Sequence, residues 1–237
     1  MPEYLAPGVY VEEIASGPVP IQGVSTSTAG FVGLTERGPT QPRLVTGWGD
    51  YVSWFGGLID PGQSFLPWAV KGFFDNGGQR MFVARVVRAR NGPPAAPADP
   101  PTNATTAALN VATSDAAQEV QIRGIGEGEW ANRIFVRVTE GTNFDPDNLP
   151  PRPSVTITLL YYATMPPMPL VDPLDGGNIA EQNRREPTVV EQYENVGWHP
   201  DEPDFFIDYI NARSKLVELA WTDPAGPALR PARIPFT

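Results

Sequence analysis

The chain carries one histidine, His199, in the stretch VGWHPDEPD, with Asp201, Glu202 and Asp204 close behind it. Imidazole and carboxylates are metal-ligand types, but this set has no second His and two prolines break the segment. A solvated turn is the expectation there, and no metal or cofactor is expected anywhere in the chain. Nucleophilic catalysis has no better footing. With no Cys, thiolate nucleophiles, thiolate metal sites and disulfides are all removed. No G-x-S-x-G stretch offers a serine on a strand-to-helix elbow. Glu12 and Glu13 are adjacent, so on a strand they face opposite ways and cannot act as a carboxylate pair across one bond.

Two further clusters have a chemical reading. Gly124, Gly126 and Gly128 in GIGEGEW have a spacing unlike the dinucleotide fingerprint, and Glu127 and Glu129 would repel phosphate. A Gly-rich hairpin turn is the expectation. Arg80, Arg85, Arg88 and Arg90 straddle one strand and its exit. They could form one side of a charge-complementary protein interface, against a solvated face as the plain alternative. A nucleic-acid role is disfavoured by the whole chain, whose 27 acidic and 17 basic residues give a formal charge of −10 and a pI near 4.6. The chain is therefore not expected to be an enzyme.

The elements that would position these residues follow from patterning. GVYVEEI, residues 8–14, reads as a strand, and ASGPVPIQGVSTST behind it as an extended linker. GFVGL and PRLVTGW are short strands. WGDYVSWFGG and SFLPWAVKGFFDNGG read as helices, the second starting near Ser64 and ending at Gly77. QRMFVARVV returns as a strand. Residues 91–108 carry a Pro-rich stretch with no large apolar side chain, and beyond it EVQIRGIG, NRIFVRVTEG and SVTITLLYYAT alternate as antiparallel strands. A strand, a helix over about 204–213 and a last strand close the pattern.

The expected class is therefore α+β. It comprises an extended arm and linker over 1–27, a small α/β layer over 28–90, a Pro-rich loop over 91–108 and a β-rich unit over 109–237 that closes on strand, helix and strand. Phe31, Trp54, Phe65, Trp68, Phe73 and Phe82 are the expected core of the α/β layer. No run of 18 apolar residues is present, so no membrane insertion is expected, and the first residues lack a secretory pattern.

PGVYVEE, GFVGLTERGP, FGG with SFLPWAVKGFFDNGGQRMFVARVV, GEWANRIFVRV, and VVEQYENV with DFFIDYINARSKLVELAW occur in that order along the chain. Together they resemble the tail sheath proteins of contractile bacteriophages and of phage-like contractile injection systems. Ala131 stands where that family usually has Gly after the Trp. The family's Gly-Gly-x-Asp-Gly segment and large C-terminal α/β domain do not follow PARIPFT, so the chain is expected to correspond to the N-terminal part of such a protein.

The resemblance implies a non-enzymatic structural subunit in a virion tail or injection particle assembled in a bacterial cytoplasm. Its partners would be other sheath subunits, an inner tube protein and a baseplate, with contraction driving the inner tube through a target envelope. It also implies that Val9, Tyr10, Val11, Glu12, Glu13 and Ile14 form a strand paired on a neighbouring subunit, as β-augmentation does. Because the family's acceptor sheet is built from the C-terminal domain, the chain by itself is expected to be monomeric. Two other classes remain as alternatives: a surface-binding tail or fibre module using Tyr161, Tyr162 and Trp198, and a hydrolase.

Overall fold

The computed structural model describes residues 28–87, 106–113, 119–142, 154–222, 231 and 234–237. Val9 to Ile14, Arg88 and Arg90 lie outside these described residues.

The first layer is a three-stranded sheet with two helices on one face. Strands β1 (Thr28–Gly33), β2 (Arg43–Val45) and β3 (Arg80–Arg85) lie in the order β1-β3-β2. β1 and β3 are parallel, and the chain between them forms β2, α1 (Trp48–Phe55) and α2 (Leu66–Asp75). A parallel pair needs such a crossover. Period two decides what β3 buries: Met81 and Val83 point to the helices, while Arg80 and Phe82 point away. Tyr51 and Phe55 from α1, and Leu66 and Val70 from α2, sit four residues apart on the faces that meet them.

The second unit holds two antiparallel sheets. β4 (Ala108–Ala112), β5 (Glu119–Gly124) and β9 (Val217–Trp221) form one, in the order β4-β5-β9. β6 (Ile134–Glu140), β7 (Val155–Tyr161) and β8 (Val189–Val196) form the other, in the order β6-β7-β8. Val111, Val120 and Ile122 from the first share a core with Val136, Ile157 and Leu159 from the second. Phe206 and Ile210 of α3 (Phe206–Asn211) close that core. The near-continuous apolar run VTITLLY is explained by covering on both faces: Leu160 packs with Phe135 and Tyr162 on the side away from Leu159. The open edge of β6 is paired by Ile234 and Thr237, which exchange backbone hydrogen bonds with Val138 and Val136.

The α+β class and the strand-helix-strand close agree with expectation. The expected core of the first layer needs correcting. Phe65 is 71% exposed, Phe82 48% and Trp68 44%; Phe31, Trp54 and Phe73 are half-buried, and Tyr51, Phe55, Met81 and Val83 form the centre. The reason is phase: Phe82 is out of step with Met81 and Val83 on its strand, and Phe65 precedes the first turn of α2. Trp68 lies on the outer side of that helix, its indole N–H donating to the Ile59 carbonyl at 3.0 Å. Ser64 does accept from the Leu66 amide at 3.1 Å, and Gly77 follows α2 at φ 88°, as its turn requires. No helix among the described residues is long and apolar enough to cross a membrane.

Replacing Leu160, which is fully buried, by Ala should cost about 2–5 kcal/mol in denaturant unfolding. Phe65→Ala at its exposed position should stay within about 0.5 kcal/mol. Equal losses at both positions would contradict the core assignment.

Candidate functional site

The α/β layer and the β unit are joined by a compact polar junction, and its centre is a buried guanidinium. Arg37 follows the turn after β1 and is only 2% exposed. Its Nη1 donates to the carbonyls of Ser53 (2.9 Å) and Trp54 (3.3 Å), and its Nη2 to that of Val52 (3.0 Å). These carbonyls lie in the last turn of α1, where the helix dipole also favours a cation; that of Val52 accepts the Gly56 amide as well. Arg37 therefore caps α1 from outside it. Burial lowers its pKa from the usual value, while Glu36, Tyr161 and Glu191 act in the opposite direction. An arginine stays charged through such a shift.

Glu36 faces the other way, toward the β unit. One carboxylate oxygen accepts from the Tyr161 hydroxyl at 2.7 Å and the other from the Gly57 amide at 2.8 Å. Arg133 donates to the same hydroxyl at 3.2 Å, and the Arg37 guanidinium lies 5.2 Å from the Tyr161 ring centre. Burial, chiefly, pushes the Tyr161 phenol up to about 12. Further along, Arg85 donates to the carbonyls of Gly38 (3.1 Å) and Glu127 (2.7 Å), one on each side of the junction. Thr40 donates to the Glu127 carboxylate at 2.9 Å, and Lys215 to the Ser53 hydroxyl at 2.7 Å.

Close backbone approach explains the glycines here. A Cβ on Gly126 would stand 2.2 Å from the Gly38 carbonyl oxygen, and one on Gly38 would meet the Trp54 carbonyl oxygen at 2.5 Å. GIGEGEW is therefore not a hairpin turn. It carries the chain from β5 in one sheet to β6 in the other, through a 3-10 turn over Glu129–Arg133, and Gly126 lets it rest on the first layer.

The structure divides the Arg80/Arg85 cluster. Arg80 is exposed on the outer face of β3, whereas Arg85, five residues on, turns into the junction. Arg85 thus holds the chain's own two layers together rather than facing a partner. Tyr161 and Tyr162 are buried, at 0% and 2%, so they line no exposed groove; Trp198 is half-buried beside His199. His199 lies in an exposed turn, where its Nδ1 accepts weakly from the Asp201 amide at 3.5 Å. No group of three metal-ligating side chains occurs among the described residues.

A cleft of about 410 Å3 opens beside the junction, lined by Thr40, Arg43, Trp54, Arg123, Glu127 and Glu218 among others. Its charges are already engaged: Arg123 pairs with Glu218 at 2.8 Å, and the Arg43 guanidinium lies 3.9 Å over the Trp54 ring. Of the cleft's lining, the Thr40–Glu127 hydrogen bond links the two layers. The sequence did not expose the roles of Arg37 and Glu36; the positive-φ Gly38 and Gly56 beside them were the available signal.

No family model matches the chain, and no curated protein does either. Among solved structures it is similar to a crystal structure of a sheath tail protein from Listeria innocua, at 10% identity and a TM-score of 0.38. The match covers 89% of this chain and 34% of that one, so the chain spans about a third of that protein's length.

Two outcomes check the junction. Gly126→Ala should destabilise the fold by about 1–3 kcal/mol, because backbone on both sides must move. Gly72→Ala in α2, where a Cβ meets nothing within 4 Å, should instead stabilise by about 0.5–1 kcal/mol. Secondly, the Tyr161 phenol titrates higher folded than unfolded, so its contribution is full below pH about 10 and falls as pH rises toward 12. Unfolding followed across that window should show Tyr161→Phe losing less stability than the unaltered chain; equal slopes would place the hydroxyl outside the junction.

Proposed function

We propose that the chain is the N-terminal part of a structural subunit of a contractile tail sheath, working in a phage tail or a phage-like injection particle. The observation that carries this reading is the order of five sheath-like segments along the sequence. Geometry supports treating them as one set, because GFVGLTERGP and GEWANRIFVRV supply opposite sides of the same junction. Glu36, Arg37 and Gly38 come from the first, and Trp130, with Arg133, from the second.

A sheath subunit must carry load between its parts without coming apart, and must remain joined to neighbours while they slide and rotate. The first need is met by a junction built from charge-assisted hydrogen bonds to backbone rather than by a flexible hinge. The second falls to the segment Val9–Ile14, expected from its sequence to be a strand, and to the Pro/Gly-containing stretch behind it. Pairing that strand on a neighbour satisfies its row of backbone donors and acceptors, and the linker lets the pairing persist as the lattice changes. The partners on this reading are further copies of the full-length subunit, an inner tube protein and a baseplate.

Deleting residues 1–20 from the full-length subunit should leave a folded protein, by circular dichroism, that builds no stable tube in negative-stain micrographs. The unaltered subunit should form tubes under the same conditions. Arm-deleted subunits assembling at the unaltered yield would rule out strand exchange, and discrete particles from the unaltered subunit would rule out the sheath reading.

A further inference from the structure

An open sheet edge presents unpaired backbone donors and acceptors, and proteins blunt such edges by covering, charge or interruption. Among the described residues, five of the six sheet edges carry such a device. β6 is paired by Ile234 and Thr237, and β4 is bounded by bridges from Thr106 to Gly128 and from Thr113 to Pro231. On β9 the Asn211 side-chain amide bonds both the N–H and the C=O of Leu219, at 2.7 and 2.9 Å. β8 carries Glu191 and Glu194, and its register against β7 is interrupted. β2 has only three residues and follows Pro42.

β1 has none of these devices. Its sequence, TAGFVG, carries no charge and no proline. The Gly33 carbonyl accepts the Val86 amide at 2.8 Å, so Ala29, Phe31 and Gly33 bond to β3. By alternation, Thr28, Gly30 and Val32 direct their amides and carbonyls to the open side. No strand among the described residues pairs with them there. The chain itself carries a segment of matching length nearby. Val9–Ile14 has six residues, as β1 has, with no Gly or Pro, and Val9, Tyr10 and Val11 are strand formers. Thirteen residues, 15–27, separate it from Thr28. Extended, such a tether spans up to about 43 Å, roughly twice the length of a six-residue strand, so the segment can reach the whole edge. Pro18 and Pro20 keep the tether itself off the ladder.

We infer that in the free chain Val9–Ile14 pairs on the open edge of its own β1. The pairing gives partners to the three amides and three carbonyls of Thr28, Gly30 and Val32. A short flexible tether holds the segment at an effective concentration in the mM range. A second copy at about 10 µM competes with it at a disadvantage of roughly a hundredfold, so the pairing stays within one molecule. The sheath reading gives this a consequence. Where subunits are packed side by side, a neighbour's edge competes for the same segment, and until then the free chain keeps both segment and edge out of premature contact. The pairing itself rests only on the open edge and the tether.

Amide hydrogen exchange, read residue by residue by NMR on the full 237-residue chain, tests this. The amides of Thr28, Gly30 and Val32 should exchange about tenfold or more slower in the unaltered chain than in two variants. One is Val11→Pro, which removes a donor and breaks the strand; the other lacks residues 1–20. Ala29, Phe31 and Gly33, which bond to β3, should exchange alike in all three, and this agreement also reports that the variants keep the sheet. Protection should be equal at about 10 and about 500 µM, because the strand comes from the same molecule. A peptide of residues 7–15, added at mM concentration to the shortened chain, should restore it. Edge amides that exchange freely in the unaltered chain, or protection that survives both variants, would overturn the inference. So would protection that grows with concentration, the sign of a strand supplied by a second copy, or a peptide that restores nothing. Tube formation by the full-length subunit is a separate readout, so either can fail alone.

Discussion

The structure depends on one buried charge. A guanidinium removed from water is costly unless its donors are engaged, and Arg37 engages both terminal nitrogens with three carbonyls at the end of α1, leaving its buried Nε without a partner. That choice has consequences on both sides. The eight-residue helix needs no capping side chain of its own at that end, and Glu36 is turned outward to receive the Tyr161 hydroxyl. The position of Arg37 thereby fixes where the β unit meets the first layer. Gly38 and Gly126 are the backbone accommodation to that closeness, and Arg85 binds the two segments that meet there.

Around this junction the two layers solve burial differently. The first uses a small sheet covered on one face only, so strand alternation leaves Phe82 and Val32 outside. The second packs two sheets and a short helix about β7, whose side chains are buried on both faces. The contrast gives the molecule an inert interior in one part and an apolar outer surface in the other. An exposed apolar sheet face of this kind is a surface suited to contact.

Much of the architecture could be read in the sequence, because it is written in periods and punctuation. The alternation in EVQIRG and IFVRVTE, the uninterrupted run in VTITLLY and the Gly77 stop all correspond to elements found. The junction was much less legible. TERGP looks like a surface turn by composition, and nothing local reveals that its arginine is buried by contacts with residues 15–17 positions away and a tyrosine 124 positions away. The exposed aromatics are hard to read for a related reason: composition counts Phe65, Trp68 and Phe82 as core-formers, and only strand parity and helix phase put them outside.

The junction makes the two layers one mechanical body. Scanning calorimetry of the unaltered chain beside Arg37→Met, which keeps an unbranched apolar stem but neither the charge nor the donors, reads whether the two layers melt together. The account predicts one transition for the unaltered chain, with calorimetric and van't Hoff enthalpies equal. The variant should show two transitions, the α/β layer melting before the β unit. Two transitions in the unaltered chain, or a single unshifted transition in the variant, would contradict it.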